Sequence, residues 1–259
     1  MSAYWTQEGA GVRLEWGPTG ARHLIEHGPR GCLVVVDVLS FTTAVSVAVQ
    51  AGAAVLPYRW RDHTAAEFAR THDADLAVGR RATGPDSPWS LSPAALRRAP
   101  FSPRLVLPSP NGSTIAAAAP QDMTVAAACL RNAGATARWL LDQGFGTPDR
   151  PVLLVPAGER WPDGSLRPAL EDLLGAGAVA SALAGAGRSL SAEAEAGQAL
   201  FDALGATTGV PEAVRTCGSG RELVVGGFGD DVEIAAEIDA SPVAAVRVDG
   251  AFAPTSPGK

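Results

Sequence analysis

The sequence has few cysteines and no long apolar run, and both absences limit the kind of protein that it encodes. Its three cysteines, Cys32, Cys129 and Cys217, are odd in number and lack the spacing of a metal site, so we expect reduced thiols. The Ala-rich stretch 173–186 is interrupted by glycine and is too short to span a bilayer. The N-terminus shows no basic region followed by an apolar one, so no signal peptide is expected. These features predict a cytoplasmic protein without a membrane partner.

An excess of basic charge is also absent. The formal net charge is −6 at pH 7 and the sequence pI is about 5.2, which argues against nucleic acid as a partner but leaves room for a local basic pocket. With 46% hydrophobic and 19% charged residues, the chain is typical of a globular protein. Its 259 residues fit one large domain, 1–259, or two closely packed halves.

Several common catalytic signatures are missing. There is no Walker A lysine motif, no Gly-x-Gly-x-x-Gly dinucleotide turn and no Gly-x-Ser-x-Gly elbow. The histidines fall in or beside helical or surface-like segments, away from the junctions described below; they are His23, His27, His63 and His72. A Ser or Cys nucleophile that relies on a His base is therefore disfavoured.

Apolar runs alternate with helix-like segments along most of the chain. The predicted strands are 32–38, 53–58, 74–78, 104–107, 124–128, 151–155, 222–225 and 243–248. The predicted helices are 42–51, 64–72, 113–119, 133–141, 169–186, 192–204, 210–214 and 231–238. This alternation predicts an α/β layered domain with a largely parallel sheet. The Pro- and Ser-rich stretch 83–103 predicts a loop or lid with a short helix near 93–97, or a surface excursion, and we expect the tail 254–259 to be frayed.

The most informative segment is the apolar run 33–36, followed by Asp37 and then by Thr42 and Thr43. The run suits a strand covered on both faces, and Asp37 comes where that strand should reach the surface. The threonines come where the next helix begins, and a helix N-terminus favours an anion. The segment can therefore supply a carboxylate for a cation and a helix end for a phosphate. An Asp that ends a strand and a Thr that caps a helix would explain the same residues.

Three further strand-to-helix junctions carry polar residues. Ligands of open α/β sheets collect outside the carboxyl ends of the strands, so each junction is a candidate site. After the strand 104–107, a helix start rich in small polar residues can bind phosphate or simply cap the helix; these residues are Asn111, Gly112, Ser113 and Thr114. Asn132 can cap the following helix or contact a ligand.

The fourth junction places Glu171 and Asp172 in the first turn of a helix that otherwise holds small apolar residues. Acids there complement the helix dipole. They are also hard oxygen ligands of the kind that Mg²⁺ takes together with a substrate phosphate and water. Arginines can pair with anionic groups of a substrate, although most are solvated surface charges; the candidates are Arg80, Arg81, Arg131, Arg160 and Arg221.

Taken in order, these motifs resemble the Mg²⁺-dependent 2-phosphosulfolactate phosphatase family along nearly the whole chain. The resemblance implies a three-layer α/β/α fold with a largely parallel or mixed sheet, a Mg²⁺ cofactor and hydrolysis of a phosphate ester on a short sulfonated acid. The motifs that carry it are Val36-Asp37-Val38-Leu39 with Thr42-Thr43, Ser87-Pro88, Asn111-Gly112-Ser113-Thr114, Asn132-Ala133, Ala157-Gly158, Ser165 with Leu170-Glu171-Asp172, Gly220-Arg221, Gly226-Gly227-Phe228 with Asp230-Asp231, and Asp249-Gly250.

On this interpretation the protein is a phosphoric monoester hydrolase. Asp37, Glu171 and Asp172 are expected to hold Mg²⁺ or orient water. The expected phosphate-binding residues are Thr42, Thr43, Asn111, Gly112, Ser113, Thr114, Asn132 and Arg221. The partner is expected to be a small anionic phosphate-ester substrate, and a homodimer is left open. Attack by water and an aspartyl-phosphate on Asp37 are both left open.

The sequence departs from the family pattern at two charged positions. Ser40 stands where the family usually has Arg, and Arg80 stands where it usually has Glu. These changes can shift substrate choice or abolish activity, so one alternative is a catalytically decayed protein that binds an anionic metabolite. An α/β-hydrolase-like acyl transferase using Ser113 is a second alternative, disfavoured because no His lies nearby in the sequence.

Overall fold

The computed structural model describes residues 4–59, 62–207 and 209–255. The strands are β1 (Val12–Leu14), β2 (Cys32–Val36), β3 (Ala54–Tyr58), β4 (Asp75–Leu76), β5 (Arg104–Pro108), β6 (Thr124–Ala128), β7 (Val152–Pro156), β8 (Glu159–Arg160), β9 (Leu166–Arg167), β10 (Ala245–Val248) and β11 (Ala251–Pro254). The α-helices are α1 (Gly17–His27), α2 (Phe41–Gln50), α3 (His63–Thr71), α4 (Pro93–Arg98), α5 (Gly112–Ala118), α6 (Ala133–Asp142), α7 (Leu170–Gly185), α8 (Ala192–Gly205), α9 (Gly209–Thr216), α10 (Gly218–Val225) and α11 (Gly229–Ala235). Short 3-10 turns lie at Tyr4–Thr6, Arg80–Ala82 and Leu130–Asn132.

Nine strands form one mixed sheet in the order β1-β7-β2-β6-β10-β11-β3-β5-β4. The strands β1, β7, β2 and β6 pair in parallel, and so do β3, β5 and β4. The hairpin of β10 and β11 joins the two groups through antiparallel pairings. Because three successive pairings are antiparallel, the two parallel groups run in opposite directions.

Helices cover both faces of this sheet. Alternate residues of β2, such as Val34 and Val36, face a core that contains α6, α7 and α8. The intervening residues Leu33 and Val35 face a second core that contains α2 and α5 together with side chains of β3 and β5. This second core joins the two parallel groups around α2 and α5. The fold is therefore a three-layer α/β/α arrangement, which confirms the predicted fold class.

Most predicted elements are present, but one is wrong. Residues 222–225, predicted as a strand, form the end of α10. Periodicity alone does not separate a short apolar run from a helical turn, and Cys217 caps this helix by accepting a hydrogen bond from the N–H of Gly220 at 3.3 Å. Val224 and Val225 are exposed, so the run was not a sign of burial. The sequence interpretation also missed β1, α1 and β11, as well as the hairpin of β8 and β9.

The stretch 83–103 contains the predicted short helix, α4, whose N-cap Ser92 accepts a hydrogen bond from the N–H of Ala95 at 3.1 Å. This stretch packs against α11. Pro254, at the start of the tail predicted to be frayed, ends β11, while residues 256–259 lie outside the described residues. All three cysteines are free, as predicted, and all three are buried. None of the described helices combines the length and the apolar character that crossing a bilayer requires.

Candidate active site

Asp37 lies directly after β2, at the N-terminal ends of two helices. Its Oδ1 accepts a hydrogen bond from the N–H of Phe41 in α2 at 3.2 Å, and its Oδ2 accepts one from the N–H of Gly112 in α5 at 2.8 Å. A side chain at position 112 would not fit, because a Cβ there would lie 2.7 Å from Asp37 Oδ2. The sequence predicts that these two helix N-termini bind a phosphate. In the structure, the carboxylate of Asp37 accepts the N–H groups of both helices.

Asp172, in the first turn of α7, links that helix to the ends of two strands. Its Oδ1 accepts the N–H of Val38 at 2.7 Å, and its Oδ2 accepts the N–H of Gly158 at 2.9 Å. Gly158 has a positive φ of 67°, a backbone conformation that glycine adopts readily. Asp172 therefore holds the loops that follow β2 and β7 against the start of α7.

Glu171, the neighbour of Asp172, is equally buried but less fully hydrogen-bonded. Its Oε2 accepts a hydrogen bond from the thiol of Cys217 at 3.2 Å. Burial, followed by the charge of Glu171, raises the pKa of Cys217 to about 12, so this cysteine stays a thiol and a donor. The other oxygen of Glu171 accepts no hydrogen bond from the residues that the structure describes.

Glu159 is a fourth acid at this edge, and the sequence interpretation did not include it among the site residues. It starts the small hairpin of β8 and β9, and its Oε2 accepts a hydrogen bond from Asn111 Nδ2 at 2.9 Å. Burial raises the pKa of Glu159 to about 7, and the charges of Asp37 and Glu171 add to the shift; Asn111 and Arg167 oppose it. Glu159 could have been predicted as a site residue, because it follows the end of β7, where ligands of such sheets collect.

The four acids form one electrostatic cluster, defined here as the acidic cluster: Asp37, Glu159, Glu171 and Asp172. Burial raises the pKa of Asp37, and the charge of Glu171 raises it further, against the N–H groups of Gly112 and Phe41 and the charge of Arg80. Burial raises the pKa of Asp172 well above its ordinary value, and Asp37 and Glu171 add to this shift. The negative charges in the cluster therefore repel one another in a region with little water to screen them.

The acidic cluster has the charge that a hard cation requires, but it is not a closed cage. The predicted ligands Asp37, Glu171 and Asp172 do not form a set of three whose ligand atoms all lie within 4.8 Å of one another. A magnesium ion usually takes only one or two protein carboxylates and completes its shell with phosphate oxygens and water. The residues present thus fit a Mg²⁺ ion shared with a substrate, and the metal assignment stays a prediction.

The predicted phosphate-binding hydroxyls are turned toward the backbone. Thr42 Oγ1 donates to the Asp37 carbonyl at 2.8 Å, and Thr43 Oγ1 donates to the Val38 carbonyl at 2.6 Å. Ser113 Oγ donates to the carbonyl of Leu107 at 3.2 Å, and Thr114 Oγ1 donates to that of Pro110 at 2.8 Å. All four hydroxyls donate to backbone carbonyls and stabilise turns and helix starts. To donate to a phosphate, each hydroxyl would have to give up its bond to the backbone.

Two further residues were predicted to bind the phosphate, Asn132 and Arg221, and one is buried while the other is exposed. Asn132 is fully buried; its Oδ1 accepts the N–H of Cys129 at 2.9 Å and its Nδ2 donates to the carbonyl of Ala127 at 3.1 Å. The bond from Cys129 caps the 3-10 turn Leu130–Asn132, whereas the Asn132 side chain makes no capping hydrogen bond to α6, so the predicted side-chain cap of that helix is wrong. Arg221 is exposed on α10, the helix capped by Cys217. Neither arrangement tests binding of a ligand, and both contacts remain predictions.

Two arginines lie beside the acidic cluster. Arg80 Nη2 donates to the carbonyl of Leu39 at 3.0 Å, and Arg80 Nε donates to Asp231 Oδ2 at 3.0 Å. A guanidinium thus lies next to Ser40, where the sequence lacks the expected arginine. Arg167 lies over the ring of Trp161, with 5.7 Å from Cζ to the ring centroid. The sequence interpretation gave Arg167 no role, because its contacts depend on how the hairpin of β8 and β9 folds back.

The mixed sheet, with the acidic cluster at the ends of β2 and β7, defines an α/β protein that has an acidic site at one edge of its sheet. The sequence model of the 2-phosphosulpholactate phosphatase family matches residues 21–250, so the chain belongs to this family. No curated protein matches the sequence. The family consists of phosphatases, and membership supports hydrolysis of a phosphate ester as the activity.

Proposed function

We propose that this protein is a Mg²⁺-dependent phosphatase that acts on a small phosphorylated hydroxy acid carrying a sulfonate or carboxylate, as 2-phosphosulfolactate does. The observation that carries the proposal is the acidic cluster, with two arginines at its border. Buried carboxylates that repel one another are stabilised by a bound cation, and the arginines complement an anionic substrate. The match to the phosphatase family supports the same conclusion.

The residues of the cluster have different tasks in this proposal. Glu171 is the primary ligand, because one of its oxygens accepts no hydrogen bond from the described residues. Asp37 and Asp172 each accept two backbone N–H groups, and their remaining lone pairs and negative charge support the same cation. When bound, Mg²⁺ would neutralise charge on the phosphoryl oxygens and lower the pKa of a water molecule.

The surrounding residues orient the reactants. Asp172 fixes the loops after β2 and β7, so that Asp37 and Glu159 keep their positions. Arg80 is held by Asp231 and Leu39 and presents positive charge toward Asp37. Glu159, hydrogen-bonded to Asn111, can hold a proton close to the place where the leaving oxygen of the ester would need one. Attack by water and an aspartyl-phosphate on Asp37 are both compatible with this arrangement.

Release of inorganic phosphate tests the proposal. Purified protein is incubated with phosphorylated hydroxy acids bearing a sulfonate or a carboxylate, in Mg²⁺ or in EDTA. We expect release with Mg²⁺ and its loss on chelation. Undiminished turnover in EDTA would remove the metal from the mechanism. Binding of these acids without any release would favour the alternative of a decayed anion-binding protein.

A further inference from the structure

A second group of potential metal ligands lies on α1, outside the acidic cluster. His23, Glu26 and His27 each offer one ligand atom, and these atoms all lie within 4.8 Å of one another. Residues at positions i, i+3 and i+4 share one face of a helix, so a single helix positions the whole group without help from distant loops. The set contains two imidazoles and one carboxylate.

The imidazole of His27 is oriented as a ligand would be. Its Nδ1 lies 3.1 Å from the carbonyl oxygen of His23 and can donate to it. That hydrogen bond places the proton on Nδ1 and leaves the lone pair of Nε2 free. Metal-bound histidines commonly donate their second ring nitrogen to a carbonyl in this way, which fixes the tautomer and the ring.

The other two residues have no strong internal partner among the described residues. His23 packs against the ring of Trp5, with 6.4 Å between centroids, and its buried Nδ1 has no hydrogen-bond partner. Glu26 is exposed and makes no ion pair with the residues that the structure describes. No internal hydrogen bond or ion pair therefore competes with a cation for these two side chains.

We infer that His23, Glu26 and His27 form a second divalent-metal site. Two imidazoles and a carboxylate suit zinc, nickel or copper, whereas Mg²⁺ prefers sites made only of oxygen ligands. Because Glu26 and His27 are exposed, water would complete the coordination. The site is separate from the acidic cluster: α1 begins at Gly17, near Ala157, and the ligands follow about 9–15 Å further along the helix.

Isothermal titration calorimetry of the untagged protein with Zn²⁺ tests the site. The variants are His27→Ala and Glu26→Gln, and His63→Ala is the matched control because His63 is an exposed histidine on another helix, α3. We expect saturable binding of one Zn²⁺ ion that weakens about tenfold or more in His27→Ala, less in Glu26→Gln and not in His63→Ala. A tenfold excess of Mg²⁺ is expected not to displace the Zn²⁺.

Electron paramagnetic resonance with Cu²⁺ gives a second readout. Coupling to two imidazole nitrogens is expected in the wild-type protein and to one in His27→Ala. The far-ultraviolet circular dichroism of each variant checks that α1 is folded, and Mg²⁺-dependent phosphate release should be unchanged in His27→Ala. Zn²⁺ affinity that is equal in wild type and His27→Ala would overturn the inference, as would the absence of saturable Zn²⁺ binding in the wild-type protein.

Discussion

Asp37 and Asp231 are two aspartates buried to a similar extent, with exposed fractions of 4% and 2%, but their charges are balanced in different ways. Asp231 accepts hydrogen bonds from Arg80 Nε at 3.0 Å, from Ser92 Oγ at 2.5 Å and from the N–H of Ala94 at 3.1 Å. Asp37 accepts two backbone N–H groups and faces three further acids. Asp231 therefore has a full positive charge in contact, and Asp37 does not.

This difference separates a structural acid from a functional one. A buried charge is tolerated when it is paired and hydrogen-bonded, and Asp231 meets that condition while it joins α4, α11 and the turn at Arg80. In the acidic cluster the carboxylates outnumber the adjacent guanidinium groups. Burial is the main cause of the raised pKa values of Asp37, Asp172 and Glu159, and the charges of neighbouring acids add to each of them. A proton or a cation from outside the chain would relieve the excess of negative charge.

The largest effect on stability is expected from Asp231→Ala. The change leaves half-buried Arg80 without its acid and removes the acceptor of Ser92 and Ala94, so the free energy of unfolding should fall by about 3 kcal/mol. Urea denaturation measures it, with Asp230→Ala as the exposed neighbouring control. If Asp231→Ala were as stable as that control, the structural role of the ion pair would be wrong.

Asp37→Asn is expected to have the largest effect on catalysis. The substitution keeps the shape and removes the charge, so kcat/KM for phosphate release should fall by about 10²-fold or more, roughly 2.7 kcal/mol of transition-state stabilisation. Asp230→Asn serves as the control and should behave like wild type. Near wild-type kcat/KM in a folded Asp37→Asn protein would exclude Asp37 from the site.

The stability of the Mg²⁺-free protein should depend on the charge of Glu159. Its pKa is raised from 4.5 to about 7, so the folded state binds a proton more tightly than the unfolded state does. Stability should therefore fall as the pH rises from about 4.5 to about 7, by about 1–3 kcal/mol from this group. Chemical denaturation at several pH values in EDTA measures this slope. Glu159→Gln should flatten it, and an identical slope in both proteins would contradict the placement of Glu159 in the cluster.

The smallest effect is expected from the close packing of α5 against Asp37. In Gly112→Ala the new Cβ would lie 2.6 Å from Phe41 Cδ1 and 2.7 Å from Asp37 Oδ2. The free energy of unfolding should therefore fall by about 1 kcal/mol. Gly229 also begins a helix but has open space around it, so Gly229→Ala is the matched control. Thermal midpoints compare them. Equal midpoints for both variants would show that the approach of α5 to Asp37 is not tight.

Local patterns predicted much of the fold and only part of the site. The alternation of apolar runs with helices gave the α/β class, and the segment around Asp37 forms a buried strand, an acid and a helix, as predicted. Contacts between distant residues could not be predicted in this way. Arg80 and Asp231 are 151 positions apart, and Asn111 meets Glu159 only because the sheet brings their loops together. The reversal between the two parallel groups depends on β11, which the sequence interpretation missed.

The same limit applies to the helix N-termini. The sequence correctly placed helix starts at Thr42–Thr43 and at Asn111–Thr114, where an anion is favoured. It did not show that one carboxylate, Asp37, would accept N–H groups from both helices. Such an arrangement depends on the second core, which packs α2 and α5 side by side. The hydroxyls that were predicted to bind phosphate instead donate to backbone carbonyls four to six residues earlier in the chain; they belong to Thr42, Thr43, Ser113 and Thr114.

Calorimetric titration with Mg²⁺ in the presence of inorganic phosphate tests most directly whether the acidic cluster is a cation site. Wild type is compared with Glu171→Gln and with Glu195→Gln, an exposed glutamate on α8 that serves as the control. We predict that Glu171→Gln weakens Mg²⁺ binding about tenfold or more, while Glu195→Gln binds as wild type does. Equal Mg²⁺ affinity in wild type and Glu171→Gln, or no Mg²⁺ binding by wild type, would contradict the account.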